Sequence, residues 1–165
     1  MERVMDSLKG EDVVVRDLRK DDLEAVIRLD AKNTGRRREE YFKVKLQQHL
    51  AETGVKVSLA AELDDCFCGF LLARVYYGEF GMLEPTAVLD TFGVHPDFRR
   101  RGVGAALMRQ LRMQLTALGV ARLQTEVDWV NQELVAFFQS EGFRPAPRLC
   151  LDLDLERAGG KTTAS

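Results

Sequence analysis

One segment of this 165-residue chain leaves little choice of architecture. Ala87 to Val94 reads as a strand, closed by His95-Pro96. Arg99-Arg100-Arg101-Gly102-Val103-Gly104 then opens a helix. Its apolar positions Val103, Leu107, Leu111, Leu115 and Leu118 recur at helical spacing, and Gly119 stands where a C-terminal glycine belongs. Leu123 to Val127 reads as the next strand. A strand–helix–strand crossover within one sheet makes its two strands parallel.

The rest of the chain reads as antiparallel partners and two further helices. Val13-Val14-Val15 is a short β-branched run and a first strand. Asp21 or Asp22 can cap a helix carrying Leu23, Val26, Ile27 and Leu29, broken at Asn33-Thr34-Gly35. A second helix runs from about Arg37 to Ala51 and stops at Gly54, with His49 on its solvated face. Lys56 to Ala61, a turn at Glu62 to Asp65, and Phe67 to Tyr77 form a hairpin, followed by a loop from Gly78 to Pro85. Asn131 caps a last helix with Leu134, Val135, Phe137 and Phe138, ended by Gly142. Leu149, Leu151, Leu153 and Leu155 alternate with Cys150, Asp152 and Asp154, which predicts a final strand. The fold class is therefore α+β: a mixed, mostly antiparallel sheet with about four helices. One domain is expected over 12–155, between tails at 1–11 and 156–165.

The loop at 99–104 carries the chemistry. The first N–H groups of a helix have no internal partner, and the helix dipole is positive there. Glycines let an anion approach the backbone and the arginines add charge, which suits a phosphate or pyrophosphate. A P-loop would need Gly-Lys-Ser/Thr, but Gly104-Ala105-Ala106 follows. A dinucleotide fingerprint would need a small residue at Leu107 and a place after the first strand. What remains is Arg-x-x-Gly-x-Gly at a strand–helix junction.

That motif resembles the GNAT superfamily of N-acetyltransferases, nearest in motif to the branch that acetylates the N-terminal alanine of a ribosomal protein. Val15-Arg16-Asp17-Leu18, Gly69-Phe70, Val94-His95-Pro96 and Asn131…Phe138…Gly142-Phe143 extend the resemblance over nearly the whole domain. It implies a splayed parallel strand pair and acetyl-coenzyme A as co-substrate, with no metal. Arg99, Arg100, Arg101, Gly102, Val103, Gly104 and Ala105 would cradle the pyrophosphate. Phe92, Gly93 and Val94 would carry the pantetheine, the Val94 N–H would face the thioester carbonyl or oxyanion, and Asn131 would touch the thiol arm. Phe138 stands in the cofactor site where the family pattern has a tyrosine acid, and a phenyl ring cannot donate a proton to sulfur.

Amine acetylation needs a base, an oxyanion site and a leaving thiolate. In the related branch a glutamate base stands five residues before the asparagine, here Glu126. Asp90, on the strand before the loop, is the second choice, with Glu79 and Glu84 behind it. Tyr41, Tyr76, Tyr77 or water could serve as acid, or the thiol, with a pKa near 8.5, could leave unaided. The acceptor would be a peptide or protein N-terminus or a small amine. A binding module of the same fold without catalysis is the other class of function.

Charge and cysteines bound the partners. The net charge is −2, so nucleic-acid binding through Arg36, Arg37, Arg38 and Arg99 to Arg101 is not expected. Neither a membrane-spanning run nor a secretory leader is expected. Three cysteines, Cys66, Cys68 and Cys150, point to a reducing, cytoplasmic setting, and the Cys66-x-Cys68 pair reads as buried or half-buried strand residues rather than as metal ligands. A monomer or homodimer is expected.

Overall fold

The computed structural model describes residues 12–50, 55 and 57–156. The tail sequences at 1–11 and 157–165, the helix end at Ala51, the stop at Gly54 and the strand start at Lys56 lie outside the described residues. The chain forms two compact units, one ending at Asn131 and one beginning at Gln132.

The first unit is built on a five-stranded sheet in the order β1-β2-β3-β4-β5. Its strands are β1 (Val14–Asp17), β2 (Leu59–Leu63), β3 (Cys66–Tyr76), β4 (Thr86–Val94) and β5 (Arg122–Thr125). The first three pairings are antiparallel and β4–β5 is parallel, as the crossover requires. Helices α1 (Leu23–Thr34), α2 (Glu39–Leu50) and α3 (Val103–Ala117) pack on it. The turn between β2 and β3 needs only Asp64 and Asp65, both left-handed at φ 51° and 59°, so Glu62 and Leu63 stay in the strand.

One core cluster joins Val26, Ile27 and Leu29 of α1 to Phe42, Leu46 and Leu50 of α2 and to Ala60, Phe70 and Leu72 of the sheet. Two glycines let the helices close on the sheet. A Cβ on Gly69 would lie 2.8 Å from Val103 Cγ1 of α3, and one on Gly93 would lie 2.9 Å from Phe70 Cε1 and 3.1 Å from Leu29 Cδ2.

Four local expectations are corrected. Asp22 stands at the start of α1 without a side-chain cap bond. Its carboxylate instead takes Arg16 at 2.8 Å and the Arg19 N–H at 2.8 Å. Burial opposes its charge, but these partners outweigh burial and hold Asp22 below the usual carboxylate range. His49 is buried rather than solvated, because 42, 46, 49 and 50 share the inner side of α2. Of the Cys66–Cys68 pair, Cys66 is exposed and Cys68 is buried, and burial pushes the Cys68 thiol up to about 11. The final strand is not formed: residues 149–154 have no regular structure, and Leu149 and Leu151 are 88% and 87% exposed. Alternation supplies an apolar face but not a ladder, and among the described residues no strand pairs with this segment.

The second unit holds α4 (Gln132–Ser140), closed by Gly142 at φ 92°. Phe138 is its buried anchor, with ring centroids 5.3 Å from Phe137 and 5.0 Å from Phe143.

Candidate active site

The site grows from the place where β4 outlasts β5. Leu72 pairs with Thr91 and Ala73 with Leu89, so Asp90 is an extra residue bulged out of the β3 ladder. Strand β5 stops opposite Leu89, where the Thr125 hydroxyl donates to the Leu89 carbonyl at 2.9 Å. From Asp90 to Val94, β4 has β3 on one side and no β5 residue on the other. The His95 N–H donates to the Cys68 carbonyl at 2.8 Å. Antiparallel ladders alternate bonded and non-bonded pairs, so the Gly69–Val94 pair is non-bonded. The N–H and C=O of Val94 therefore point away from β3, and the same parity turns those of Phe92 outward. Two outward amides, two residues apart, sit about 6.6–6.8 Å from each other along a strand. This is the splay implied by the sequence resemblance.

Beyond Val94, Pro96–Phe98 makes a single 3₁₀ turn, with His95 Nδ1 accepting from the Asp97 N–H at 3.1 Å. Arg99 is extended, Arg100 is left-handed at φ 61°, and Gly102 is left-handed at φ 78°. Such alternation turns successive amides into one concavity that suits an anion. Gly102 is the residue before α3 and offers no side-chain oxygen to it. The Ala106 N–H donates to the Gly102 carbonyl at 2.9 Å, which leaves the amides of Val103, Gly104 and Ala105 as the helix's orphan donors. Arg99, Arg100 and Arg101 are exposed around them, and the Arg101 guanidinium lies 5.5 Å from the Phe98 ring centre. The loop expected to hold a pyrophosphate thus has uncapped amides, a positive dipole end and exposed cationic side chains in one place.

The two carboxylate candidates differ in surroundings. Glu126 lies one residue beyond β5 rather than on it, and is exposed. Asp90 accepts from Lys45 Nζ at 2.7 Å and lies 3.4 Å from His49 Nε2. Burial would raise its pKa, but Lys45 and then His49 overcome burial and hold it below the usual range. His49 is itself lowered, first by burial and then by the Arg74 charge. Its Nε2 faces the Asp90 carboxylate at 3.4 Å, while Nδ1 lies 3.3 Å from the Ala73 carbonyl and 3.5 Å from the Ser58 hydroxyl. A carboxylate so engaged is a weaker base than an exposed one.

The remaining candidates are placed as follows. Asn131 ends a turn in which its N–H meets the Asp128 carbonyl and the Asp128 carboxylate takes the Val130 N–H at 3.1 Å. Phe138 belongs to the second unit and is described there. Tyr41 packs edge-on against Phe42 under Arg38 and Lys45, Tyr76 lies beside Arg74, and Tyr77 is exposed. Arg37 is ion-paired with Glu24 and Glu39, and Arg38 with Asp30. Among the described residues no group of three or more His, Cys, Asp or Glu is placed to hold a metal, and no helix is long and apolar enough to cross a membrane.

Sequence reading missed two residues. His49 had a signal, the 42-46-49-50 spacing on α2. Asn33 had none beyond its place in a helix-ending triplet: its Nδ2 donates to the Val94 carbonyl at 3.1 Å, and its Oδ1 accepts from Arg99 at 3.2 Å.

This open strand edge running into an uncapped, arginine-flanked helix start defines a class. Residues 17–143 match the Acetyltransferase (GNAT) family, and the chain belongs to it. It is similar to the ribosomal protein bS18-alanine N-acetyltransferase of Salmonella typhimurium, 33% identical over 90 residues that cover 54% of this chain and 56% of that protein. The Escherichia coli protein of the same name is 40% identical over 60 residues, 36% of this chain and 40% of its own length. The chain thus spans about half the length of the curated relatives it matches. Among solved structures, aminoglycoside N-acetyltransferase AAC(6')-Iy in complex with CoA superposes with a TM-score of 0.73 at 21% identity, over 87% of this chain and 95% of that one. Ribosomal-protein-alanine N-acetyltransferase from Brucella melitensis does so at 0.69 and 19% identity, over 87% and 99%.

Proposed function

We propose that this chain is an acetyl-coenzyme A-dependent N-acetyltransferase whose acceptor is a primary amine, with a peptide or protein N-terminus as the favoured class. The observation that carries the reading is the continuity of the open β4 edge with the orphan amides of Val103, Gly104 and Ala105. The pantetheine lies along Phe92, Gly93 and Val94, and the pyrophosphate sits at Arg99 to Ala105. Asn131 contacts the thiol arm, Phe138 belongs to the same cofactor-binding set, and the working domain runs over 12–155. Acetyl-coenzyme A supplies the acyl group and the thiolate leaving group, and no metal is used.

Glu126 takes a proton from the acceptor ammonium. The neutral nitrogen attacks the thioester carbonyl, a C–N bond forms, and the negative oxygen is met by the Val94 N–H. The C–S bond then breaks, the carbonyl re-forms, and the thiolate leaves; the nitrogen's second proton passes through water to the departing sulfur, giving the neutral amide and free thiol. Asp90 is the second candidate base, disfavoured by its engagement with Lys45 and His49. An α-amine, with pKa about 7.7–8.0 against about 10.4 for lysine, asks least of such a base. The names of the bS18-alanine relatives support a protein N-terminus, and that of AAC(6')-Iy supports a small amine as the alternative. Phe138 in place of a tyrosine favours a second reading, an acyl-coenzyme A-binding module without catalysis. We place the protein in the cytoplasm as a monomer or homodimer, without nucleic-acid or membrane partners.

The test is purified protein with acetyl-coenzyme A and a panel of peptides, polyamines and aminoglycosides, read by product mass and released thiol. Acetylated α-amines support the favoured reading, and acetylated small amines alone support the alternative. Coenzyme A binding without turnover supports the binding module. Absence of coenzyme A binding overturns all three.

A further inference from the structure

The structure assigns Asn33 as a positioning residue that ties the cofactor loop and the thioester-bearing strand end to helix α1; the assignment rests on the acetyl-coenzyme A reading above. Asn33 lies in the last turn of α1, one residue before Thr34, whose hydroxyl donates to the Asp30 carbonyl at 2.9 Å, and two before Gly35, where the helix ends at φ 72°. The helix end therefore fixes where the amide stands. Its two halves reach two different parts of the site. Nδ2 donates to the Val94 carbonyl at 3.1 Å, and Oδ1 accepts from the Arg99 guanidinium at 3.2 Å.

Each half has a distinct consequence. The Val94 carbonyl points away from β3 and gets no ladder bond from it, so the Nδ2 bond restrains the tilt of that end of β4. The outward Val94 N–H, which the transferring acyl oxygen would meet, belongs to the same residue and shares that restraint. The Oδ1 bond holds Arg99 against α1, which sets how the loop from Arg99 to Gly102 enters α3. One primary amide does both because it offers a donor and an acceptor on one planar group. An aspartate at 33 could keep Arg99 but would turn a carboxylate toward the Val94 carbonyl; an alanine would release both.

The experiment compares Asn33→Ala, Asn33→Asp and Arg99→Ala with the parent chain by calorimetric titration of coenzyme A, steady-state kinetics on the best amine from the panel, and thermal melting. A neutral hydrogen bond contributes modestly, so Asn33→Ala is expected to weaken coenzyme A binding about three- to tenfold and to lower kcat. Asn33→Asp is expected to restore the affinity but not kcat, a split that a merely structural role would not produce. Adding Asn33→Ala to Arg99→Ala is expected to cost less affinity than the two changes summed. Unchanged affinity and kcat in Asn33→Ala, or full additivity with Arg99→Ala, overturns the assignment while leaving the acetyltransferase reading intact. Loss of fold in Asn33→Ala leaves Asn33→Asp as the deciding variant: affinity and kcat falling together in it overturn the assignment. A parent chain that does not bind coenzyme A overturns both.

Discussion

Glu126 and Asp90 are two carboxylates in unlike settings, and the contrast yields a kinetic expectation. A positioned base is worth about 10²–10⁴ in rate. Glu126→Gln is expected to lower kcat/KM at least roughly tenfold at neutral pH, and by less as rising pH deprotonates the acceptor unaided. A pH–rate profile measures this; a rate untouched at every pH moves the base to Asp90. His49 gives a stability expectation whose sign follows from its lowered pKa. The unfolded chain takes up the imidazole proton near the ordinary 6.5, before the folded one does. Stability contributed by the buried neutral ring is thus full above that pH and is lost as pH falls toward the folded value. Asp90, lowered from 3.8, keeps its contribution through this window. Melting temperature is expected to drop between pH 7.5 and 5.5, and to drop less in His49→Gln. The turn from β4 into α3 was legible in sequence, because paired glycines ahead of a helically spaced apolar pattern mark a strand–helix junction. The pairing of buried His49 with Asp90 was not, because a bulge and a helix 41 residues apart in the chain bring it together. Asn33 was illegible for the same reason, since a helix-ending asparagine gives no sign of bonding a strand 61 residues later.

At the scale of elements, the sheet is squeezed between helices at its working end. Gly69→Ala places a methyl 2.8 Å from Val103 Cγ1, on the first residue of α3. We expect it to cost about 1–3 kcal/mol by denaturant titration. It should also weaken coenzyme A binding, since α3 must shift where its orphan amides are. Gly104→Asp tests the same helix start by charge: the first turn tolerates aspartate, but its carboxylate repels a pyrophosphate. Calorimetry is expected to show coenzyme A binding lost with melting unchanged; unchanged affinity would put the pyrophosphate elsewhere. Element existence was largely readable, since α1, α2, α3 and all five strands stand near their expected places. The exceptions are informative. Alternation at Leu149–Leu155 states which side chains share a face, not whether a neighbouring backbone exists to bond. Asp22 reads as a cap by type, yet Arg16, six residues earlier, competes for its carboxylate.

For the molecule as a whole, ligand and fold are linked by mass action. Coenzyme A at a hundredfold excess over Kd is expected to add about 2.7 kcal/mol. For a chain of this size that corresponds to roughly 5–11 °C in melting temperature. No shift at millimolar coenzyme A would remove the cofactor from the account. The stretch of β4 past Leu89 has a further consequence, for how the protein behaves in a tube. A strand edge with outward amides is a template on which another polypeptide edge can dock. A bound pantetheine would fill that template as a small chain terminator. Concentrated samples kept without coenzyme A should therefore grow slowly in light scattering, and samples kept with it should stay clear, so that the co-substrate serves as the protein's own storage additive.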